Sequence, residues 1–161
     1  IVCTTGRKLM QEGVYECDRA AHKVGGQVFH LGPSFSGMKA LAHCEYNLSD
    51  TELSARYNEC HFVSGLRRYE GFELPAAEGL LCGARPIVYD QPHYRDWYAP
   101  WAEFITESED RDARRQQIED IFRRGARPVS DEEIRAAAAR FNWNTIVSEF
   151  WIRILNTYDA P

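Results

Sequence analysis

The chain has 161 residues, of which 44% are hydrophobic and 27% are charged, a composition typical of one soluble globular domain with a real core. Its formal net charge of −5 argues against a broad attraction to nucleic acid, although a local basic patch stays compatible with it. The five cysteines are scattered and form no CxxC pair. They favour free thiols in a reducing, cytoplasmic compartment over a disulfide framework or a structural zinc site.

Short β-rich runs alternate with helical segments through the first two thirds of the chain. The capping-box sequence SDTE begins one of these helices at Ser49, and Pro75 stands near the start of another. In chain order, the predicted elements are strand 1–5, helix 11–24, strand 27–31, strand 42–46, helix 49–58, strand 61–64, helix 74–83, strand 86–89 and strand 103–106. For the aromatic run 93–98 two interpretations remain: it forms a wall of a pocket, or it is a loop whose rings pack on one another.

The last third of the chain is predicted to be helical. Segment 109–124 has a thin apolar seam, and a second capping box, SDEE, begins at Ser130. We interpret the apolar stripe between Trp143 and Ile154 as core, with packing across an interface to another domain as the alternative. The arginines between 111 and 127 are interleaved with acids, which indicates a solvated helix face, with peripheral membrane contact as the alternative.

This alternation predicts an α/β fold, a Rossmann-like doubly wound parallel sheet of about six strands in the order 3-2-1-4-5-6 with extra C-terminal helices. In that order strands 1 and 4 are neighbours, and ligands bind outside their carboxyl ends. Arg7 and Lys8 follow the first strand, and Glu70 and Gly71 end the loop after the fourth. We therefore expect Arg7 and Glu70 at one site despite their separation in the chain.

The segment YEGFELPAAEG at 69–79 places two carboxylates around the start of a helix. Gly71 permits a ligand to approach the backbone, and the helix start offers free N–H groups to a phosphate. Glu70 and Glu78 would repel phosphate, but a carboxylate can accept hydrogen bonds from two neighbouring hydroxyls. A nucleotide-sugar carries both a diphosphate and vicinal diols, so these residues predict a nucleotide-sugar site with Arg7 on the diphosphate.

Simpler interpretations exist for single residues of this site. Acids are favoured in the first turns of helices, which by itself would explain Glu78, and also Glu73. Arg7 and Lys8 could be solvated loop cations. The combination of Glu70, Glu78, the helix start and the following strand favours the ligand hypothesis.

The segment EGFELPAAEGLLCGARPIV resembles the E-x7-E segment of GT-B glycosyltransferases, especially the retaining family with sucrose- and glycogen-synthase-like enzymes. TTGRK resembles the first strand of that family and its phosphate-binding arginine. NLSDTELSARYNECHFV resembles the helix and strand before the E-x7-E segment, and RFNWNTIVSEFWIRIL the closing helix. The resemblance implies that residues 1–161 are a donor-binding domain, the C-terminal half of an enzyme whose N-terminal domain binds the acceptor.

The resemblance also implies roles for single residues in glycosyl transfer with retention. Glu70 would contact the hydroxyls of the donor sugar, Glu78 the ribose and Arg7 the diphosphate. Backbone amides around Gly71 and Phe72 would border the sugar and the phosphate. Glu70 and Arg7 are thus the candidate catalytic residues, and the isolated domain is expected to bind the donor without sustained transfer.

The remaining donor-binding candidate is Lys8, and we predict no metal or other cofactor. The five histidines show no spacing typical of metal ligands. A nucleotide-sugar donor and the N-terminal acceptor-binding domain are the expected partners, with neither nucleic acid nor a transmembrane segment.

The sequence departs from the family pattern at three places. Glu12 stands where a lysine is usual, Glu73 where a glycine is usual, and Leu66-Arg67 where a Pro-Ser pair is usual. Lys8, Arg67 or Arg68 could supply the missing positive charge. These departures leave open a non-catalytic nucleotide-sugar-binding or assembly module, and a sugar-nucleotide epimerase is a third, less well matched hypothesis.

Overall fold

A six-stranded, all-parallel sheet in the order β3-β2-β1-β4-β5-β6 forms the centre of the protein. The computed structural model describes residues 1–7 and 10–158, apart from the side chains of Phe150 and Tyr158. The strands are β1 (Val2–Thr5), β2 (Val28–Leu31), β3 (Leu41–Glu45), β4 (Phe62–Gly65), β5 (Arg85–Tyr89) and β6 (Glu103–Ile105). The structure confirms the predicted α/β class, the strand order and the six strands.

Helices connect these strands and continue beyond the sheet. They are α1 (Val14–Lys23), α2 (Asp50–Asn58), α3 (Leu74–Leu81), α4 (Pro92–Tyr98), α5 (Arg111–Arg124), α6 (Asp131–Arg140), α7 (Trp143–Ile146) and α8 (Ile152–Tyr158), with a π-helical turn (Val147–Trp151) between the last two. Both predicted capping boxes are present, at Ser49 with Glu52 and at Ser130 with Glu133. Among the described residues, no helix combines the length and the apolar character needed to cross a membrane.

The order of the strands puts β1 at the centre, paired in parallel with β2 on one side and β4 on the other. Val2 lies opposite Phe62, and Cys3 lies opposite Val63. Both central strands are buried, as expected for a parallel sheet that is covered on both faces. The loops that follow β1 and β4 consequently leave the same edge of the sheet side by side.

Helix α4 was not predicted, since its sequence is short and rich in aromatic residues, which are weak helix formers. It forms because Pro92 occupies its first turn and because Tyr94 and Tyr98 are fully buried on its inner face. Tyr98 Oη donates to the carbonyl oxygen of Glu73 at 2.7 Å, and Tyr94 Oη donates to that of Arg67 at 3.0 Å. The aromatic run is therefore a helix that holds the segment leading into α3.

The apolar stripe between Trp143 and Ile154 is not part of the core, so that prediction was wrong. Trp143 is 70% exposed and Trp151 is 53% exposed. Helical spacing shows that apolar residues share a face, but it does not show what covers that face. An apolar depression of about 470 Å³ lies beside the stripe, lined by Phe72, Leu74, Trp97, Phe141, Trp143, Ile146 and Trp151.

The interpretation of the arginines after residue 110 as one solvated face was also wrong in part. Arg114 is 5% exposed, and its Nη2 donates to Glu16 Oε1 of α1 at 2.5 Å. Buried ion pairs of this kind leave an uncompensated charge when one partner is removed. Arg114 therefore fastens α5 to α1, whereas Arg123 and Arg124 point to solvent.

Arg85, at the start of β5, fastens α6 to the sheet. It is 1% exposed and donates to the carbonyl oxygens of Trp101 and Pro128, both at 2.8 Å. Its Nη1 also lies 3.0 Å from Oε1 of Glu133, the acid of the second capping box. The bonds from Arg85, Ser130 and Arg127 lower the pKa of Glu133 to about 2.

We expect Glu133→Gln to flatten the dependence of stability on acid pH. The folded-state pKa of about 2 lies below the ordinary 4.5, so the ionised carboxylate stabilises the fold above about pH 4.5 and this stabilisation is lost as the pH falls towards 2. The wild-type free energy of unfolding should fall by about 1–2 kcal/mol between about pH 6 and pH 3 from this group. Urea unfolding at both pH values measures it, with the exposed Glu132→Gln as the matched control. The same loss in Glu133→Gln as in the wild type would contradict the assignment.

Candidate functional site

A cleft of about 590 Å³ opens outside the carboxyl ends of β1 and β2. Doubly wound sheets bind ligands at this edge, where the direction of strand order reverses. The cleft is lined by Thr5, Gly6, Arg7, Glu12, Leu31, Gly32, Glu45, Tyr46, Asn47, Leu48, Leu53, Tyr57, Arg67, Pro75 and Glu78. It therefore collects side chains from the ends of β1, β2 and β3, from α2, and from the start of α3.

Arg7 and Glu78, the expected ligands of the diphosphate and the ribose, both line this cleft. Glu70, which we expected at one site with Arg7 from the strand order, is not among the lining residues. Arg7 directly follows β1, and its Nη2 donates to Tyr46 Oη at 3.0 Å. Its guanidinium carbon lies 5.9 Å from the centre of the Tyr46 ring. Glu78 stands on α3, on the side of the helix that faces α2. One cation and one carboxylate thus reach the cleft from separate elements.

Tyr57 of α2 fixes the carboxylate of Glu78. The tyrosine is 1% exposed, and its Oη donates to Glu78 Oε2 at 3.2 Å. Burial raises the pKa of the Tyr57 hydroxyl, which keeps it protonated and able to donate. Burial also raises the pKa of the Glu78 carboxyl, and the bond from Tyr57 opposes that shift. Tyr57 therefore orients the carboxylate, a role that the sequence analysis missed because the contact joins two helices.

Arg67 is a second cation of the cleft and lies among three carboxylates. Its Nε is 3.4 Å from Glu12 Oε1, and its Nη1 is 3.8 Å from Glu70 Oε1 and 3.6 Å from Glu73 Oε2. Glu12 belongs to the segment after β1, and the other acids belong to the segment after β4. The structure thus confirms that these two segments face each other at the edge of the sheet.

The three departures from the glycosyltransferase pattern all take part in this cluster. Glu12 packs so closely over Gly6 that a Cβ there would lie 2.2 Å from Glu12 Oε2. Arg68 points elsewhere, since its Nε lies 2.5 Å from Glu107 Oε1 and its Nη2 2.5 Å from Glu109 Oε1. Of the two arginines considered as replacement cations, only Arg67 reaches the cleft.

Glu73 is buried, with 1% of its surface exposed. It occupies the N-cap position of α3, but its side chain accepts no hydrogen bond from the amides of that helix. Instead Oε1 accepts from the backbone N–H of Arg67 at 3.0 Å and from Tyr94 Oη at 3.5 Å. Burial raises the pKa of the Glu73 carboxyl to about 7, and the neighbouring Arg67 opposes the shift. Glu73 therefore stands at the start of α3, but its side chain binds back to the backbone of Arg67 and to Tyr94 of α4.

The other predicted site residues lie outside the lining of the cleft or outside the described residues. Glu70 is exposed, and its carboxylate lies 3.8 Å from Nη1 of Arg67, which does line the cleft. Gly71 is exposed, and a Cβ there would meet no atom within 4 Å, so no described contact requires a glycine. Phe72 packs on Tyr98 with ring centres 5.7 Å apart, in the apolar depression. Lys8 lies outside the described residues.

We expect Glu73→Gln to make the free energy of unfolding less dependent on pH around neutrality. Because the folded-state pKa of about 7 lies above the ordinary 4.5, the folded state binds the proton more tightly, and stability falls as the pH rises from about 4.5 through 7. Between about pH 5 and pH 8 the wild type should lose about 1–2 kcal/mol from this group. Unfolding in urea across this range tests it, with Glu132→Gln, an exposed position outside the cluster, as control. A wild-type slope that survives in Glu73→Gln would refute the assignment.

Neither a family model nor a curated protein sequence matches the chain. Solved structures do match it. The sucrose-phosphate synthase of Thermosynechococcus elongatus aligns with a TM-score of 0.69 and 17% identity, over 99% of this chain and 46% of that one. A UDP-forming α,α-trehalose-phosphate synthase of Burkholderia vietnamiensis aligns with a TM-score of 0.70 and 12% identity, over 97% and 45%. The pneumococcal O-GlcNAc transferase GtfA, in complex with UDP and GlcNAc, aligns with a TM-score of 0.63 and 16% identity, over 99% and 36%.

These neighbours are all glycosyltransferases, and the chain spans half of their length or less. At such low sequence identity, the structural similarity supports a shared fold and nothing more specific. The chain therefore has the Rossmann-like fold that makes up one part of these larger glycosyltransferases.

Proposed function

We propose that the chain is the donor-binding domain of a retaining glycosyltransferase of the GT-B type. It binds a nucleotide-diphospho-sugar in the cleft and presents the glycosyl group to an acceptor held by another domain. The observation that carries this proposal is the meeting of Arg7 and Glu78 in one cleft at the reversal point of the sheet. This is a place where doubly wound folds bind nucleotides.

The nucleotide part of the donor fits the two ends of this cleft. Arg7 offers a guanidinium fork to the diphosphate, and its bond to Tyr46 holds it at the wall of the cleft. Glu78 accepts hydrogen bonds from the ribose hydroxyls. Because Tyr57 already occupies Oε2, the carboxylate is oriented before the ligand arrives, which lowers the entropy lost on binding.

The sugar part of the donor lies towards the rim formed by the E-x7-E segment. Glu70 accepts hydrogen bonds from sugar hydroxyls, and the backbone around Gly71 and Phe72 borders the sugar. Lys8, which follows Arg7 in the sequence, is a further candidate cation for the diphosphate. When the bond between the anomeric carbon and the diphosphate breaks, negative charge grows on the leaving phosphate, and the Arg7 guanidinium stabilises it.

Two of the structural neighbours suggest which nucleotide to test first. The Burkholderia synthase is UDP-forming, and GtfA is bound to UDP. Uridine diphosphate is therefore the first candidate, before the guanosine and adenosine diphosphates.

A second domain completes the site in this proposal. The chain spans half or less of each neighbour, so about half of such an enzyme lies beyond this fold. The exposed apolar side chains Trp143 and Trp151 offer a surface on which such a domain could pack. Closure of two domains on the donor would exclude water and favour transfer over hydrolysis.

The cluster around Arg67 supports the alternative, a nucleotide-sugar-binding or assembly module without transferase activity. Three carboxylates surround this arginine, so its charge is already matched and helps little with a leaving diphosphate. The two functions differ in one result. A module binds the donor but never transfers the sugar, even when the chain is joined to its other domains.

We expect calorimetric titration to show that the chain binds one nucleoside diphosphate, UDP first. Arg7→Ala should weaken binding about tenfold or more because it removes the cation for the diphosphate. Glu78→Ala should weaken it by a similar factor, since it removes the acceptor for the ribose. Tyr57→Phe keeps the carboxylate but not its orientation, so we expect a smaller loss of about two- to fivefold.

Two exposed residues of α6 provide matched controls, Arg135→Ala for the lost cation and Glu132→Ala for the lost carboxylate. Both controls should bind UDP as the wild type does. If no nucleoside diphosphate binds, or if Arg7→Ala and Glu78→Ala bind as well as the controls, the proposed cleft is wrong.

A further inference from the structure

A second depression, of about 390 Å³, lies between α1 and α5 and shares no residue with the cleft. Five of its lining side chains carry a positive charge and one carries a negative charge, in a chain whose formal net charge is −5. The lining consists of Tyr15, Arg19, His22, Lys23, Lys39, Arg111, Asp112 and Arg115. We call this set the basic depression.

Arg19 is one cation of the basic depression, and its side chain is fixed by several contacts. Its guanidinium lies 4.9 Å from the centre of the Tyr15 ring, and its Nη2 donates to the carbonyl oxygen of Gly37 at 3.1 Å. Its Nη1 is buried and makes no hydrogen bond to a described residue. Asp18 is 4.0 Å from this atom, but both its oxygens already accept from the backbone N–H of Lys39. Arg19 is thus held in place at the wall of the depression, with Asp18 as its counter-charge.

Unlike Arg19, three other cations of the basic depression lack a counter-charge among the described residues. No ion pair joins Lys23, Lys39 or Arg111 to a carboxylate among the described residues. Arg115, by contrast, is paired with both Asp112 and Glu119. Like charges held close together repel one another, and their combined field attracts a compact anion strongly. Binding of an anion would therefore relieve the repulsion between these cations.

We propose that the basic depression is a binding site for a phosphoryl group. A phosphate has the charge to match several cations at once and the oxygens to accept from the exposed side chains of Lys23, Lys39 and Arg111. The depression has room for a small phosphate ester. The same chemistry is found in a soluble phosphate ester and in the headgroup of an anionic phospholipid, and the experiment separates these two sources. This site is independent of donor binding in the cleft.

Titration with inorganic pyrophosphate, followed by NMR of the backbone amides and the arginine Nε–H groups, tests the site. An Arg7→Ala background removes the cation proposed to bind a diphosphate in the cleft, which would otherwise attract the same probe. We expect shifts that saturate and that centre on Arg19, Lys23 and Arg111. The double variant Lys23→Glu, Arg111→Glu should weaken binding about tenfold or more, because it reverses two charges of the basic depression.

The double variant Arg135→Glu, Arg153→Glu is the matched control, since it makes the same change in net charge at exposed positions outside the basic depression. Lys23 and Arg111 are themselves exposed, so all variants should unfold at similar urea concentrations. The control should bind pyrophosphate within about twofold of the parent.

Sedimentation with vesicles of phosphatidylcholine, with and without phosphatidic acid, identifies the source of the phosphate. Binding to the phosphatidic acid vesicles that is lost in Lys23→Glu, Arg111→Glu supports a lipid headgroup. Saturable pyrophosphate binding without vesicle binding supports a soluble phosphate ester. If neither probe binds, or if the two double variants bind equally well, the proposal is overturned.

Discussion

The pairing of β1 with β4 at the centre of the sheet is the constraint on which the site depends. It brings the segments after these strands, far apart in the chain, to one edge. Gly13 shows how closely they meet. Its φ of +70° is a conformation that glycine adopts readily, and a Cβ there would lie 2.4 Å from Leu66 Cβ. Arg67 then joins the same two segments by its ion pairs with Glu12 and Glu73.

This pairing also arranges the charges around the cleft. Arg7 stands on one side with a tyrosine hydroxyl as its partner, whereas Arg67 is surrounded by carboxylates. The first cation is free to meet an anion, and the second is held by acids of its own protein. In the proposed function, this difference directs the diphosphate towards Arg7 and leaves the acidic side for hydroxyls. The buried Glu73 belongs to the acidic side, and its protonation changes the charge there at neutral pH.

Much of the fold could be predicted because its signals are local. Each strand is a short β-rich run, and two helices begin at capping boxes that the structure contains. Helix α4 was not predicted because it is stabilised by the burial of Tyr94 and Tyr98 and not by a high intrinsic helix propensity. The stripe beginning at Trp143 was misjudged because periodicity cannot tell a face buried in the core from a face left for another partner.

The candidate site was predictable where residue type and position in the topology sufficed. The strand order led us to expect Arg7 and Glu70 at one site, and the E-x7-E segment added Glu78. Arg7 and Glu78 line one cleft, whereas Glu70 lies outside its lining. Tyr57 and the surroundings of Arg67 depend on contacts between side chains of distant segments, for which one sequence carries no signal. The basic depression is a similar case, since its cations come from α1, α5 and the segment before β3.

The central claim is that Arg7 and Glu78 hold opposite ends of one nucleotide. A crystal structure of the chain with UDP tests it most directly. The account predicts diphosphate oxygens within hydrogen-bonding distance of the Arg7 guanidinium and ribose hydroxyls on the Glu78 carboxylate. UDP bound outside this cleft, or bound in reverse with its phosphates beside Glu78, would contradict it.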